Sequence, residues 1–355
     1  LFRSFQSMSW EVLKEEKEAE KFIELLKGNA VFAFAIGNTK TAEVPGITVA
    51  GANPELIKFT PPADAELLHY GHCRIIPFPP ATPDGKPTPA LITYTALRIT
   101  GIPFFVVDSG LMAKPNIPYF DIAAPVGENI AEKPAMKIEE VKEAFERAKK
   151  LGEMLSRVSD VLIIGESIPA GTTTAGAVLK ALGIKAAVSS SMPDNPVKIK
   201  EDVISKAVER LKDYGSDPLQ IVAAVGDPVM VGVAGMAIGS TKPVLLAGGT
   251  QMAAIAQIIK RMNRDADIAI ATTSYVAEDE TADMVGISPD VPIIAADLML
   301  GDSSKPGLRA YAEGFVKEGV GAGGATLLAY ARGVSSQEFL KEVERSYFEV
   351  VESKM

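Results

Sequence analysis

Residues 161–174, Val-Leu-Ile-Ile-Gly-Glu-Ser-Ile-Pro-Ala-Gly-Thr-Thr-Thr, run from a fully apolar strand into a glycine turn and then a hydroxyl-rich helix start. This combination suits an anion. Unpaired amides at the head of a helix, together with its dipole, favour a phosphate, and Thr172, Thr173 and Thr174 after Gly171 add hydroxyl donors. Glu166 stands at the strand end, where a carboxylate is placed to hold a ribose hydroxyl. An ATPase loop of the usual spacing would need a lysine after Gly171, and Thr172 occupies that place. An ordinary strand-to-helix turn with threonine capping uses the same residue types.

A second candidate lies near the C-terminus. Glu318, in Lys317-Glu318-Gly319-Val320-Gly321-Ala322, is a carboxylate leading into a glycine-rich turn before an apolar helix. Gly319 and Gly321 let the backbone approach a ligand closely, and a partly buried carboxylate has a raised pKa suited to accepting a proton near neutrality. A solvated glutamate at the end of a helix over residues 306–317 is the plainer alternative. Lys200 falls at the start of a helix, where the dipole does not favour a cation, which fits a lysine held for an anion. His69, His72 and Cys73 cluster, but three donors without a fourth, followed by a strand-like run, do not make a metal site by the usual ligand counts.

These residues need a scaffold. An amphipathic helix is expected over residues 10–27, where Trp10, Leu13, Phe22, Ile23, Leu25 and Leu26 recur among Glu and Lys. Residues 31–36 read as the first buried strand, and 47–50 as a weaker one. The proline-dense residues 77–89 cannot be regular helix or central strand, and form a loop over the surface or a site. A helix over 89–100, a strand over 104–108, a charged helix over 138–154, the strand at 161–166, a short strand over 184–189 and a helix over 198–212 follow in alternation.

From Val222 the composition shifts to Ala, Gly, Val and Met, and Pro218 after Asp217 suits a first helical position. Residues 243–250, 268–273 and 292–297 repeat the theme of a strand ending in Gly, Thr or Asp, and an amphipathic helix closes the chain over 336–352. This alternation predicts an α/β fold, a Rossmann-like parallel sheet with right-handed crossovers and helices on both faces. The expected organisation is an amphipathic helix in residues 1–30, a main α/β domain over 31–305, and C-terminal helices over 306–355 that return to a smaller helical part built with the N-terminal segment. Ligands in such sheets bind outside the carboxyl ends of the strands, which puts Asp108, Glu166, Gly226, Asp227, Gly248, Gly249, Thr272, Thr273 and Asp297 on one rim.

Composition narrows the function. The 355 residues carry a formal net charge of −9 with no dense Lys/Arg block, which disfavours nucleic-acid and anionic-membrane partners and leaves small molecules. One cysteine allows no disulfide within the chain, in keeping with a reducing cytoplasm. Mean hydropathy is +0.16, yet charged or proline residues interrupt every long apolar run, so no membrane span is expected. Residues 1–9 do not read as a secretory signal.

The order of these signals resembles the nicotinate-nucleotide:dimethylbenzimidazole phosphoribosyltransferases of cobalamin assembly, in particular their archaeal branch. The similarity runs from about Thr88 to Tyr330. The family's Glu before a Gly-Asn-Thr-Thr turn is similar to Glu166 with Gly171-Thr172-Thr173-Thr174, with one extra residue between and Thr172 in place of Asn. Its Lys-x-x-Val-Ile-x-x-Ala helix is matched from Lys200 to Ala207. Its Gly-Gly and its Pro-Val-Leu-Leu-Asp-Gly are echoed by Gly226-Asp227 and by residues 243–248, where Ala247 replaces Asp. Its Gly-Glu-Gly-Ser-Gly-Ala is matched from Lys317 to Ala322, with Lys317 for the first Gly and Val320 for Ser.

The resemblance implies phosphoribosyl transfer from nicotinate mononucleotide to a benzimidazole-like base, with Glu318 as the base. It implies that Glu166, Gly171, Thr172, Thr173, Thr174, Lys200, Gly226, Asp227, Gly248, Gly249, Gly319 and Gly321 bind substrate. It also implies a homodimer, and no metal or redox cofactor is required for the chemistry. Transfer to another aromatic base, such as a purine or phenol, and a nucleotide-binding protein that has lost the chemistry are the alternatives.

Overall fold

A computed structural model describes residues 9–185, 196–211 and 217–354. Eight strands form one sheet: β1 (Trp10–Lys14), β2 (Ala30–Ile36), β3 (Phe104–Asp108), β4 (Phe120–Asp121), β5 (Val161–Ser167), β6 (Val244–Ala247), β7 (Ile268–Thr273) and β8 (Ile293–Ala296), in the order β1-β8-β7-β6-β5-β2-β3-β4. Every pairing is parallel except β1 with β8. β2 is buried at all seven positions, as a central strand covered on both faces must be. The parallel α/β fold is thus the one the alternation of apolar runs predicts.

Two cores cover the faces. The helices Ile138–Ser156, Gly171–Ala181, Pro218–Val225, Pro228–Gly239 and Thr250–Met262 bury their apolar sides on one face. The helices Glu16–Leu26, Thr60–Tyr70, Ala90–Thr100, Ala322–Ala331 and Ser336–Val350 pack on the other, so both chain ends share a core with the same sheet. The chain leaves β2 outward to β3 and β4, then returns to β5 on the opposite side of β2. That reversal opens a crevice beyond Ile36 and Ser167, which lie level in the register.

Several expectations change. Residues 10–27 are not one helix: Trp10–Lys14 is a strand, and Glu15 at φ 54° turns the chain into the helix Glu16–Leu26. The physical reason is the open edge of β8, whose backbone groups pair with β1 while Trp10 and Val12 alternate into the core. Residues 47–50 form no strand, and the helix expected over 306–317 stops at Ala312. Gly226 and Asp227 do not end a strand but join two helices, because a short buried apolar run does not distinguish helix from strand. The strand expected over 184–189 lies largely outside the described residues.

The helices Ile138–Ser156 and Pro228–Gly239 touch through their backbones. A Cβ on Gly152 would lie 2.0 Å from the carbonyl oxygen of Met236. Gly152→Ala therefore forces the pair apart, and overpacking of about 1–3 kcal/mol outweighs the gain in helix propensity of about 1 kcal/mol. Urea unfolding is expected to show a lower midpoint for this variant; an unchanged or higher midpoint would contradict so close an approach.

Candidate active site

The loop between the helices Pro306–Ala312 and Ala322–Ala331 carries Glu318. Val316 (φ 52°), Gly319 (φ 148°), Val320 (φ 56°) and Gly321 (φ 72°) all take positive φ there. For the β-branched Val316 and Val320 this is strained, of order 1–3 kcal/mol each, and persists only where the surroundings dictate it. At Val320 they do: its N–H donates to the carbonyl of Glu166 at 3.0 Å, and its own carbonyl accepts from Thr93 Oγ1 at 2.9 Å. Gly321 packs so closely that a Cβ would sit 3.1 Å from the Cα of Gly165.

This winding sets the Glu318 carboxylate over the first turn of the helix Ala322–Ala331. The amide of Gly323 donates to both carboxylate oxygens at 3.2 Å, and that of Gly319 to Oε1 at 3.1 Å. Gly323 has no room for a side chain, since a Cβ would lie 2.7 Å from Glu318 Oε2 and 2.2 Å from the carbonyl carbon of Thr272. Burial pushes the Glu318 carboxyl up to about 7, while these amides favour its ionised form. A carboxyl poised near neutrality takes and returns a proton readily.

Glu166, near the end of β5, is 3% exposed, and its Oε2 has no hydrogen-bond partner among the described residues. Burial raises it to about 8, with further contributions from the charges of Asp227 and Glu318. Between the two glutamates lies Gly248-Gly249: a Cβ on Gly248 would be 3.9 Å from Glu166 Oε1, and one on Gly249 would be 3.8 Å from Glu318 Cβ. The carboxylates thus flank bare backbone.

Glu166, Gly171, Thr172, Glu318 and Gly319 line one cleft, which encloses about 850 Å³ of unfilled space with the solvent at its mouth included. Glu318 and the threonine turn, about 150 residues apart in the chain, share this cleft. Of the three threonines only Thr172 lines it. The Thr174 hydroxyl donates to Asp227 Oδ2 at 2.6 Å and lies 3.1 Å from the Gly171 carbonyl, and Thr173 is buried beneath. Asp227 caps the helix Pro228–Gly239 through the Met230 amide, so it braces the threonine turn rather than lining the cleft.

Gly226, Gly248, Gly249 and Gly321 likewise stand behind the lining. Lys200 is 2% exposed and does not line the cleft; it feels the charges of Lys317 and Asp279, which are themselves ion-paired at 3.2 Å. Burial and the charge of Lys317 hold Lys200 down to about 7. Asp108 and Asp297 of the expected rim serve nearby turns, through the amides of Gly110 and Leu111 and of Met299.

Residues 80–82 and 86–89 of the proline-dense loop form a wall of the cleft, with Ile47, Val49, Ile168, Val316 and Val320. Sequence reasoning missed Asp64, Ser167 and Gln251, which also line it. Asp64 had one visible signal, a carboxylate beside Pro and Ala in a helix that buries it from Pro61 to Leu68 together with Glu66. His69 packs tilted against Phe104 with ring centroids 4.6 Å apart, His72 Nδ1 lies 3.0 Å from the Tyr70 carbonyl, and Cys73 Sγ donates to the Ala63 carbonyl at 3.4 Å. Among the described residues no group of three or more His, Cys, Asp or Glu is placed to hold a metal ion, and no helix is long and apolar enough to cross a membrane.

Folded Glu166 titrates near 8 and a free glutamate near 4.5. Its contribution to stability is therefore fully present below the lower value and is lost as pH rises through the higher one. Glu166→Gln does not ionise, so its melting temperature should gain on that of the ligand-free wild type as pH rises from about 5 to about 9. A difference in melting temperature that stays constant with pH would contradict the buried, partnerless carboxyl.

Known proteins share this geometry's framework. A family profile described as "Phosphoribosyltransferase" matches residues 93–307. A UPF0284 protein of Archaeoglobus fulgidus is 66% identical over 339 residues, spanning 96% of this chain and 99% of the relative. A UPF0284 protein of Saccharolobus solfataricus is 44% identical over 334 residues, spanning 92% and 95%. Among solved structures, CobT from Thermus thermophilus superposes with a TM-score of 0.59 at 17% identity, covering 93% of this chain and 92% of that one. A nicotinate-nucleotide-dimethylbenzimidazole phosphoribosyltransferase from the same organism gives a TM-score of 0.61 at 16% identity, with the same coverage. The fold is shared with both. The profile spans more than half of the chain, and the chain belongs to the phosphoribosyltransferase family, as a transferase of the glycosyl class.

Proposed function

We propose that this enzyme transfers the phosphoribosyl group of nicotinate mononucleotide to a benzimidazole-like base, giving an α-ribazole phosphate and nicotinate for the lower ligand of cobalamin. The observation that carries this reading is the single cleft in which Glu318 and Glu166 face the Gly171-Thr172 helix start. The family supports phosphoribosyl chemistry, and the name of one of the two Thermus structures, a nicotinate-nucleotide-dimethylbenzimidazole phosphoribosyltransferase, points to the same donor and acceptor.

In this reading the bond from the anomeric carbon to the nicotinate nitrogen breaks, and a bond from that carbon to a ring nitrogen of the acceptor forms. Nicotinate leaves readily from its cationic N-glycoside. The protein must align donor and acceptor, exclude water and remove the proton from the acceptor nitrogen. Glu318 takes that proton, worth about 10²–10⁴ in rate, and Glu166 holds the ribose hydroxyls. Thr172, through its amide and hydroxyl, grips the phosphate at the helix start, since the amides of Gly171, Thr173 and Thr174 already donate to the carbonyls of Ile168 and Ala170. Lys200 supplies the cation at that end, and a phosphate there would relieve its repulsion with Lys317. Thr173, Thr174, Gly226 and Asp227 hold this turn in place, Gly319 lets substrate approach, and Gly248, Gly249 and Gly321 let the loop pack closely behind the lining.

Glu318→Gln keeps the shape and removes the base. Turnover, followed by chromatographic detection of released nicotinate, should fall by about 10²–10⁴ while nicotinate mononucleotide still binds. Undiminished turnover with both substrates bound would end the assignment. In the wild type, kcat/KM should rise with pH through about 7 as Glu318 ionises. The proposal includes a cytoplasmic homodimer, for which the single cysteine and the family resemblance are the support, the apolar faces of the terminal helices being buried in the chain's own core. Gel filtration with light scattering should give twice the chain mass, and a monomer at high concentration would remove the dimer.

A further inference from the structure

The cleft has a second polar feature that the transfer chemistry leaves unused. Its walls offer Ile47, Val49, Pro80, Pro87, Pro89 and Val316, flat and apolar surfaces suited to an aromatic ring. Among them stands Asp64, 2% exposed, presented by the helix Thr60–Tyr70. Its side chain accepts two hydrogen bonds, from Thr88 Oγ1 to Oδ1 at 2.7 Å and from Ser167 Oγ to Oδ2 at 3.3 Å. A carboxylate has about four lone-pair sites, so two hydroxyls leave it with acceptor capacity to spare.

The neighbouring groups are engaged elsewhere. The Tyr311 hydroxyl donates to the Pro87 carbonyl, and the Lys86 ammonium lies near Asp84 and over the ring of Phe315. Ser167 directly follows Glu166 in β5, which ties Asp64 to the carboxylate expected at the sugar. The partnerless Glu166 Oε2 in the same cleft is an independent sign that a polar ligand completes this site.

Burying a carboxylate against an apolar surface is costly unless its hydrogen bonds are completed. A base that seals the cleft with methyl groups expels the remaining water and puts nothing in its place. A base with an N–H or O–H on that edge supplies a further donor to the spare lone pairs. We propose that Asp64 determines acceptor specificity by accepting a hydrogen bond from the acceptor base, so that the acceptor is a flat bicyclic heteroaromatic bearing an amino or hydroxyl donor beyond its reacting nitrogen. This rests on the reading of the cleft as a nicotinate mononucleotide transferase site, and narrows its acceptor to a base that carries a hydrogen-bond donor.

The test is acceptor competition with adenine, hydroxybenzimidazole and 5,6-dimethylbenzimidazole, all with nicotinate mononucleotide as donor. The wild type should favour a donor-bearing base by about 10²-fold or more in kcat/KM, as sites built for a hydrogen bond do. Adenine against hydroxybenzimidazole tells an amino from a hydroxyl donor. In Asp64→Leu the ratio should fall to about one or below, through the acceptor KM far more than the nicotinate mononucleotide KM. Asp64→Asn, nearly isosteric, covers the case in which the leucine variant fails to fold, and should lower the ratio by about 10-fold.

A wild-type preference for the dimethyl base overturns the proposal. So does an equal loss with all three acceptors, which marks a merely structural aspartate. Calorimetric affinities of the same bases in the presence of nicotinate mononucleotide separate the two levels. If no acceptor releases nicotinate, the transfer reading fails while the ratio of affinities still judges Asp64. Failure of every donor-bearing base to bind also overturns the proposal.

Discussion

The hydrogen bond from the Val320 amide to the Glu166 carbonyl, 3.0 Å long, ties the end of β5 to the loop that carries Glu318. The rest of the site depends on it. It holds a β-branched residue at positive φ, sets Gly321 against Gly165, and so aims the helix Ala322–Ala331 at the ends of β6 and β7. The glycines at the head of that helix then permit contact that no other residue allows: a Cβ on Gly324 would lie 2.4 Å from the Cβ of Ala247. Strain in the loop is balanced by this packing, and the outcome is one carboxylate held by amides beside another held by burial.

That arrangement opposes stability. Asp64, Glu166 and Glu318 line one cleft and Asp227 lies just behind it, and burial raises all four carboxyls. Groups of this kind store free energy that a ligand recovers by supplying hydrogen bonds and positive charge. Lys200 and Lys317, two buried lysines that interact with Asp279, lie behind the cleft lining. The cleft is therefore rich in buried acid that a ligand would complete.

Much of this was legible in the sequence. The strands β2, β5 and β7 were readable because buried parallel strands are short apolar runs stopped by Gly, Ser or Thr. Glu166, Thr172 and Glu318 were readable because strand-end and glycine-turn chemistry is local. What escaped depends on tertiary contact. β1 exists only because β8 offers an edge, and nothing within residues 10–14 announces that partner. Thr174 resembled Thr172 in the chain, and only its bond to Asp227 shows that it faces inward. Asp64 sits in a helix without a clear polar face, buried at every position from Pro61 to Leu68, so the spacing of its residues does not say which of them meets a cavity.

Both the transfer chemistry and the role of Asp64 depend on where a nucleotide lies in this cleft, and the most direct measurement is a crystal structure of the protein with nicotinate mononucleotide bound. It should show the phosphate at the Gly171-Thr172 helix start on the side of Lys200, and the anomeric carbon between Glu166 and Glu318. A nucleotide bound away from this cleft, or seated with its phosphate against the two glutamates, would contradict it.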